Sequence, residues 1–348
     1  MNILITSSAR RIDFVTFFKN SLKDSGIEGN VIVADPDDNA PSLQAGDKSY
    51  ITPHQTEKNY IDSILKICKK ENVHCIVALN DWEVPALSEH KGKFDEMDIC
   101  LFVPDLAIVE KMRDKAKYRE LLAPFEINAP YSYLKVEDAL RGLARGEVDY
   151  PLIVKPRNGS ASMGVEFAYN LEDLKLAYDN AIREILDSPL NEDSEKKPEE
   201  DVVIQEVIEG DKFSVDIFND LDGNFVTTLI RKQLSMRGGD IDRCITVNSP
   251  DLIEIGRKIG QNLRHVGYIN ADVYYNGKDY YVIDINPRFG GGYAFSHRAG
   301  ANIPLAIIAI ALGEEIKEEW LTQKGDVELA RHDTVVSIDK EKIKTSPV

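Results

Sequence analysis

The residues best suited to chemistry lie in the stretch V-I-D-I-N-P-R-F-G-G-G, which runs from Val282 to Gly292. Its β-branched residues predict a buried strand, in which Asp284 and Asn286, two positions apart, lie on the same face. Arg288 follows at the strand end. Carboxylate and amide oxygens suit Mg²⁺, and a guanidinium matches the geometry of phosphate or carboxylate. The stretch therefore predicts a metal and anion site, with a strand that has a polar edge and a glycine turn as the alternative interpretation.

A second carboxylate, Asp272, lies on the preceding strand, and Asn276-Gly277 between the two strands predicts a hairpin. With a two-residue turn, Asp272 and Asp284 are a few residues apart along the ladder, about 10 Å at roughly 3.3 Å per residue. A longer turn brings them closer. Together with Asn286 they could hold one or two Mg²⁺ against a triphosphate. The alternative for Asp272 is an exposed strand residue.

A lysine at a strand end is the third feature. Lys155 lies near the end of the apolar run 151–156 and precedes a loop of small residues, 158–165, that contains Gly159 and Gly164. A lysine in this position reaches phosphate oxygens while N–H groups of the loop bind others. The loop lacks G-K-S/T and is therefore not a Walker A motif. A strand-end lysine in solvent is the alternative.

Arginines follow the first predicted strand, at the edge where open α/β sheets bind ligands. Ser7, Arg10 and Arg11 lie there. Arginine is unfavourable at a helix N-terminus, which favours the binding of an anionic substrate by Arg10 and Arg11. Surface arginines at a helix start are the open alternative. Further candidates for substrate contact are Arg231, Arg243, His297 and Arg298. His297 is not predicted to bind a metal because no second histidine stands at ligand spacing.

The elements that position these residues change in type along the chain. Strands at 2–6, 31–34, 75–79 and 99–103 alternate with helices at 12–23 and 60–70, which predicts a parallel, doubly wound sheet. The first turn lacks G-x-G-x-x-G, the dinucleotide fingerprint. Later patterns predict helices at 111–122, 171–186, 250–266 and 302–312, and strands at 151–156, 202–206, 213–218, 225–231, 269–275, 280–285 and 334–338. The charged residues 187–201 are interpreted as a solvated insertion.

Composition limits the function classes. The 348 residues carry a net charge of −17, which argues against a nucleic-acid partner. No apolar run reaches the roughly 18 residues of a membrane span, and the chain starts directly in a strand pattern, so we expect no signal peptide. The four cysteines form no C-x-x-C pair and predict free thiols in a reducing cytosol. A cytoplasmic protein is therefore expected.

Five motifs stand in order along the chain: M-R-D-K-A-K-Y-R-E-L-L, Y-P-L-I-V-K-P-R-N-G-S-A-S-M-G-V, V-I-Q-E-V-I-E-G-D-K-F-S-V-D, N-A-D-V and D-I-N-P-R-F-G-G-G. In this order the chain, from about Met1 to Gly313, resembles the ATP-grasp enzymes, specifically ligases like the large subunit of carbamoyl-phosphate synthase. The resemblance implies an α/β protein in which an N-terminal Rossmann-like parallel sheet precedes a two-lobed, α+β ATP-grasp domain. The implied divisions are the Rossmann-like domain 1–110, a small lobe with the phosphate loop 111–205, a C-terminal lobe with metal and catalytic residues 206–320, and a tail 321–348.

The resemblance also implies roles for individual residues. Contacts to ATP are implied for Lys115, Lys155, Gly159, Ser160, Ser162, Met163, Gly164, Glu206, Val207, Ile208 and Asp211. Mg²⁺, or alternatively Mn²⁺, is implied at Asp272, Asp284 and Asn286, and catalysis at Arg288, Lys155 and Asn286. Substrate contacts are expected for Arg10, Arg11, Arg231, Gly291, Gly292 and His297. Two positions depart from the family: Lys212, with Asp211 beside it, stands where a ribose-binding glutamate is usual, and Asp284 replaces a metal-binding glutamate.

The reaction implied is an ATP-dependent ligation. A substrate carboxylate is activated as an acyl phosphate, which an amine attacks to form an amide or peptide bond with release of ADP and phosphate. The expected partners are small-molecule carboxylate and amine substrates, with no nucleic acid and no membrane, and homodimers are common among similar proteins. Two alternatives stay open: activation of bicarbonate or carbamate, as in carboxylases and carbamoyl-phosphate synthases, and a regulatory module that binds nucleotide without turnover.

Overall fold

Three β-sheets form the framework of the protein. The computed structural model describes residues 1–159, 164–187 and 197–346. Within these residues, two sheets have six strands each and one has four. No helix in the described ranges is both long and apolar enough to span a lipid bilayer.

The first sheet is parallel throughout, as the alternation of strands and helices predicts. Its strands and their connecting helices are β1 Ile3–Thr6, α1 Ile12–Asp24, β2 Val31–Asp35, β3 Lys48–Ile51, α2 Tyr60–Glu71, β4 Cys75–Ala78, α3 Val84–Glu89, α4 Lys91–Asp95 and β5 Cys100–Leu101. Strands β1, β2 and β4 are completely buried, because a parallel sheet is covered on both faces. The sequence pattern does not predict β3, because its residues K-S-Y-I lack the apolar run that identifies β2.

The C-terminal segment completes this first sheet. Strand β16, Ile343–Thr345, pairs in parallel with β3, so the strand order is β16-β3-β2-β1-β4-β5. The strand predicted at residues 334–338 is wrong: these residues have no regular structure, and Val335 is fully exposed. Their β-branched residues are typical of a strand, but these residues pair with no strand of the described structure.

The smallest sheet is antiparallel and has the order β6-β9-β7-β8. Its elements are β6 Ser132–Tyr133, α7 Val136–Ala144, β7 Leu152–Pro156, β8 Glu166–Ala168, α8 Leu171–Leu186 and β9 Val202–Glu206. The bounds of α8 are those that the sequence predicts, and Asn170 caps its N-terminus by accepting from two backbone N–H groups. Helix α7 is not predicted from the sequence. This sheet carries Lys155 on β7 next to the predicted phosphate loop.

The helix predicted at 111–122 is broken into two. Helix α5, Leu106–Arg113, ends at Asp114, a short 3-10 turn spans Lys115–Lys117, and α6 covers Tyr118–Leu122. The break occurs because the Asp114 carboxylate accepts from Ala116 N and receives both Nε and Nη2 of Arg157 at 2.6 Å. The pair fixes a tight turn, so Lys115 is buried instead of lying on a helix surface.

The largest sheet is antiparallel and has the order β14-β13-β10-β11-β12-β15. Its elements are β10 Asp211–Asn219, β11 Phe225–Arg237, β12 Asp240–Thr246, α9 Pro250–Leu263, β13 Gly267–Tyr275, β14 Tyr280–Asn286 and β15 Glu328–Ala330. Strand β11 continues six residues beyond the predicted end at Arg231, and β12 is not predicted. The sheet carries the acidic residues of the candidate site on β13 and β14.

The turn between β13 and β14 has four residues, not two. Tyr275 pairs with Tyr280, and Asn276 closes the turn by accepting from the N–H groups of Lys278 and Asp279 at 3.0 and 2.8 Å. After a register shift beyond Val273, Asp272 pairs directly with Asp284. The two-residue turn and the separation of about 10 Å along the ladder are therefore wrong, and the longer-turn alternative is correct.

Two helices that follow β14 pack into the core shared by the large sheet and the first sheet. They are α10 Tyr293–Arg298 and α11 Ile303–Leu312, the second capped by Asn302 and by the left-handed Gly313. Phe14 of α1 contacts Phe289 edge-on and Tyr293 at a tilt, with ring centroids 5.4 and 5.6 Å apart. This aromatic cluster joins the N-terminal domain to the segment that follows β14.

Replacing Phe14 tests whether this cluster holds the two parts together. The ring is completely buried, so Phe14→Ala leaves a cavity and is expected to lower the free energy of unfolding by about 3–5 kcal/mol. Phe167→Ala is the matched control, because that ring is 49% exposed and its loss should change stability by less than about 0.5 kcal/mol. Urea unfolding followed by circular dichroism measures both. Equal midpoints for the two variants would contradict the assigned role.

Candidate active site

Two carboxylates face each other on adjacent strands and form the centre of the site. Asp272 and Asp284 are directly paired, and Asn286 pairs with Asn270 two residues further along the same face. Burial alone would raise the pKa of Asp284, but the ammonium groups of Lys115 and Lys155 overcome this and hold it below its ordinary value. The carboxylate therefore stays ionised within the protein.

Three lysines from three elements surround this pair. Lys115 Nζ lies 3.1 Å from Asp284 Oδ1, and Lys212 Nζ of β10 lies 2.8 Å from Asp272 Oδ2. Lys155 is buried, which lowers its pKa to about 8, although the charge of Asp284 opposes the shift. Three cations thus meet two anions, an arrangement that attracts a polyphosphate. From the sequence, Lys212 is identified only as the residue at the position of a ribose-binding glutamate. Its contact with Asp272 is not predicted.

The predicted phosphate loop begins beside these lysines. Lys115 Nζ donates to Gly159 O at 2.7 Å, which ties the start of the loop to Asp284. Gly164, at the end of the loop, has a φ of +64°, a conformation that favours glycine. Ser160, Ser162 and Met163, predicted to contact ATP, lie outside the described residues. Gly159, where the loop begins, is thus next to the lysine cluster.

The residues predicted to contact adenine connect two sheets. Glu206 ends β9 of the small sheet, and its carboxylate accepts from Tyr131 N at 3.0 Å. Val207 and Ile208 follow, half-buried, and Asp211 opens β10 of the large sheet, where it pairs with Lys232. The segment is therefore a connection between two lobes, as a hinge requires. Its contact with a nucleotide stays a prediction.

Arg288 lies where the large sheet meets the N-terminal domain. Its Nε and Nη2 donate to Asp81 Oδ2 at 3.1 and 2.9 Å. Arg11 donates to the carbonyl oxygens of Leu79 and Phe289 at 3.3 and 3.2 Å. Burial, together with the nearby charge of Arg288, lowers the pKa of Arg11 to about 10. The structure thus brings Arg11 and Arg288 together, whereas Arg10 is exposed.

The glycine run is in close contact with side chains beneath it. A Cβ on Gly290 would lie 2.9 Å from Asn270 Cγ, and one on Gly291 would lie 2.3 Å from Asp240 Oδ1. A Cβ on Gly292 would lie 3.0 Å from Arg231 Nε. The run therefore needs glycine for packing, independently of the predicted contact of Gly291 and Gly292 with a substrate.

Arg231 lies against Gly292 of the glycine run, and His297 lies on α10. Arg231 is 0% exposed and donates to Asp216 at 2.7 Å and to Ser296 at 2.6 Å. The half-buried His297 ring stacks on Phe17 with ring centroids 3.7 Å apart, and burial lowers its pKa to about 4. Both side chains therefore have partners within the protein, and their contact with a substrate stays a prediction.

Two residues at the site were missed by sequence reasoning. Asp81, the partner of Arg288, follows β4, and its place at the carboxyl end of a parallel strand could have identified it. Arg331 donates to Gly291 O at 3.0 Å and to Ile241 O at 3.2 Å. It comes from a charged C-terminal segment whose local pattern carries no signal for this contact.

The donors present fit a hard divalent cation. Asp272, Asp284 and Asn286 offer carboxylate and amide oxygens from one face of two strands, which suits Mg²⁺ or Mn²⁺. The described part of the chain has no group of three or more histidine, cysteine, aspartate or glutamate residues that could hold a metal ion. In this structure the two carboxylates instead pair with lysines.

Two family models match the chain. Residues 3–102 match the model described as "PylC-like, N-terminal domain". Residues 198–335 match the model "ATP-grasp in the biosynthetic pathway with Ter operon". The first match covers the parallel sheet up to β5, and the second covers the large sheet with both carboxylates and Arg288.

Solved structures with a similar fold include carboxylases and a synthetase. Biotin carboxylase from Campylobacter jejuni, solved as a β,γ-ATP complex, is 17% identical with a TM-score of 0.72, over 92% of this chain and 73% of that one. The biotin carboxylase domain dimer of Hydrogenobacter thermophilus 2-oxoglutarate carboxylase, solved with MgADP, ADP and bicarbonate, is 18% identical with a TM-score of 0.71. The match covers 91% of this chain and 70% of that one. N5-carboxyaminoimidazole ribonucleotide synthetase from Thermotoga maritima is 16% identical with a TM-score of 0.63, over 92% of this chain and 78% of that one. The predicted fold class is confirmed.

The lowered pKa of Lys155 predicts how stability depends on pH. Between about 8 and the ordinary value of 10.5, the folded protein has released the Lys155 proton while the unfolded chain still binds it. Because the unfolded state then holds more protons, wild-type stability rises with pH in this window relative to Lys155→Met, by up to about 3 kcal/mol. Urea unfolding of both proteins at pH 7.5 and pH 10 measures the change. A difference that is independent of pH would contradict the burial of a charged Lys155.

Proposed function

We propose that this chain, in which a PylC-like N-terminal domain precedes an ATP-grasp domain, is an ATP-dependent carboxylate–amine ligase. The observation that carries the proposal is the pair Asp272 and Asp284, directly opposed on two strands and surrounded by three lysines. Such a cluster suits a nucleotide triphosphate and its metal. Arg288 follows the same strand and pairs with Asp81 of the N-terminal domain, and we place the second substrate beside it.

ATP is bound by two groups of residues in this proposal. Lys115, Lys155 and the loop that starts at Gly159 hold the phosphates, while residues 206–208 hold adenine and Asp211 lies near the ribose. Asp272, Asp284 and Asn286 would hold Mg²⁺ or Mn²⁺, which neutralises charge on the transferred phosphoryl group when it is bound. The three lysines of the cluster carry more positive charge than the two carboxylates can compensate. The remaining positive charge favours binding of the anionic nucleotide.

The reaction has two steps. A carboxylate oxygen of the substrate attacks the γ-phosphorus of ATP, the bond to the β–γ bridging oxygen breaks, and ADP leaves. The nitrogen of an amine then attacks the carbonyl carbon of the acyl phosphate, loses a proton, and phosphate leaves with its oxygen. Lys155 and Arg288 donate to the oxygens on which negative charge develops, and Arg11 holds the anionic substrate. Asn286 would take part by helping to hold the metal ion. No protein nucleophile takes part.

The setting proposed for the protein follows from the same argument. We place it in the cytoplasm as a homodimer that acts on small molecules, without nucleic-acid or membrane partners. Its divisions are the N-terminal domain 1–110, the small lobe 111–205, the C-terminal lobe 206–320 and the tail 321–348. Within the tail, β15 and β16 pair with the large and the first sheet, respectively.

A second candidate function is activation of bicarbonate. The structures with similar folds include carboxylases, one of them with bicarbonate present. Measuring ADP release with bicarbonate alone, and then across pools of carboxylates with and without amines, separates the candidates. ADP release that needs both a carboxylate and an amine supports the ligase. Release with bicarbonate alone favours the second function, and no release with any pool contradicts both.

Replacing Arg288 tests the phosphoryl-transfer step. Arg288→Ala removes a preformed donor for the oxygens of the intermediate, so we expect ADP release to fall at least about 100-fold. The affinity for ATP should change by less than about threefold, because the nucleotide binds through other residues. Arg257→Ala is the matched control, since Arg257 pairs with Glu254 on the surface of α9. Isothermal titration and a coupled ADP assay give both quantities, and full activity in Arg288→Ala would contradict the assignment.

A further inference from the structure

Lys212 lies on the face of the sheet where the metal ligands are. In the pairing of β10 with β13, Lys212 faces Tyr274 and Ser214 faces Asp272. Residues two apart on a strand share a face, so Lys212, Asp272 and Asp284 all point to the same side. Lys212 Nζ reaches Asp272 Oδ2 at 2.8 Å, and the two side chains are only 23% and 20% exposed. The ammonium therefore lies inside the site and not at its rim.

Both oxygens of Asp272 are already in use. Oδ2 takes the Lys212 ammonium, and Oδ1 accepts from Gln233 Nε2 at 3.2 Å. Gln233 is itself held by a hydrogen bond to Ser214 at 2.9 Å. Asp284, in contrast, shares a single oxygen, Oδ1, with Lys115 and Tyr118. Both carboxylates are paired with a lysine, but they are unequal. Each oxygen of Asp272 has a partner, whereas the contacts of Asp284 among the described residues are made by Oδ1.

We infer that the site binds one divalent cation per nucleotide, held by Asp284 and Asn286. Asp272, the third metal ligand of the proposed function, binds the Lys212 ammonium instead, which takes the place of a second ion. The inference rests on the proposed function only in assuming that a nucleotide binds here. A fixed ammonium beside Asp272 repels a second divalent cation at that carboxylate and donates its own hydrogen bonds toward phosphate oxygens. The lysine thus supplies a permanent positive charge at the position where a second metal ion would bind reversibly.

Counting Mn²⁺ ions tests this without turnover. Bound Mn²⁺ is measured by electron paramagnetic resonance on the full chain with stoichiometric ADP, after subtraction of a titration of ADP alone. We expect one ion per chain in the wild type and in Lys212→Arg, which keeps the cation. We expect two ions in Lys212→Gln, and also in Lys212→Glu, which adds a carboxylate ligand. Lys258→Gln, which removes a surface pair with Glu126 at 2.9 Å, is the matched control and should bind one.

The outcomes separate this inference from the proposed function. Two ions in the wild type, or one in both Lys212→Gln and Lys212→Glu while their thermal unfolding matches the wild type, would overturn the role of Lys212 and leave the ligase proposal intact. Failure of the wild type to bind ADP, measured by isothermal titration, would contradict the nucleotide site itself. A rise from one ion to two on loss of the ammonium alone supports the inference.

Discussion

Two ionised carboxylates that face each other across a strand pair repel unless cations lie between them. The site of this protein meets that constraint with Lys115, Lys155 and Lys212, which come from the turn after α5, from β7 and from β10. The first two lie in the small lobe, and the third lies in the large sheet. Neutralising Asp272 and Asp284 therefore also holds the two lobes in register with each other.

The N-terminal domain contacts the same centre at the end of β14. Arg288 pairs with Asp81 of the parallel sheet, and its neighbour Phe289 stacks on Tyr268 with ring centroids 4.0 Å apart. Phe14 of α1 closes this cluster from the other side. Arg288 makes the polar contact, and the next residue, Phe289, makes the aromatic one. The position of the guanidinium is therefore fixed both by ring packing and by its ion pair.

Local patterning predicted the regular parts of the fold and failed where distant residues decide. Apolar periodicity found α8 with its bounds and the buried strands β1, β2 and β4. It failed at Asp114, because the break in the helix depends on Arg157, 43 residues away. It also misjudged the turn after Tyr275, since Asn-Gly favours two residues but the Asn276 side chain closes four. That error hid the direct opposition of Asp272 and Asp284.

The site shows the same division. The motif order predicted Lys115, Lys155, Asp272 and Asp284, and the structure brings these four residues together. The contact of Lys212 with Asp272 was not predicted, because it depends on the pairing of β10 with β13. Arg331 was also missed, since its partner Gly291 is remote in the sequence. The packing of the three glycines against side chains of the large sheet was likewise not predicted, because no local pattern shows which side chains lie next to them.

The pairing of β16 with β3 has a consequence for how the parallel sheet forms. Strands β1 to β5 lie within residues 3–101, yet one edge of their sheet pairs with residues 343–345. Closing this edge therefore needs a contact between parts of the chain that are remote in sequence, and such contacts form slowly. Until the contact forms, β3 is an open edge whose unpaired N–H and C=O groups can pair with other chains.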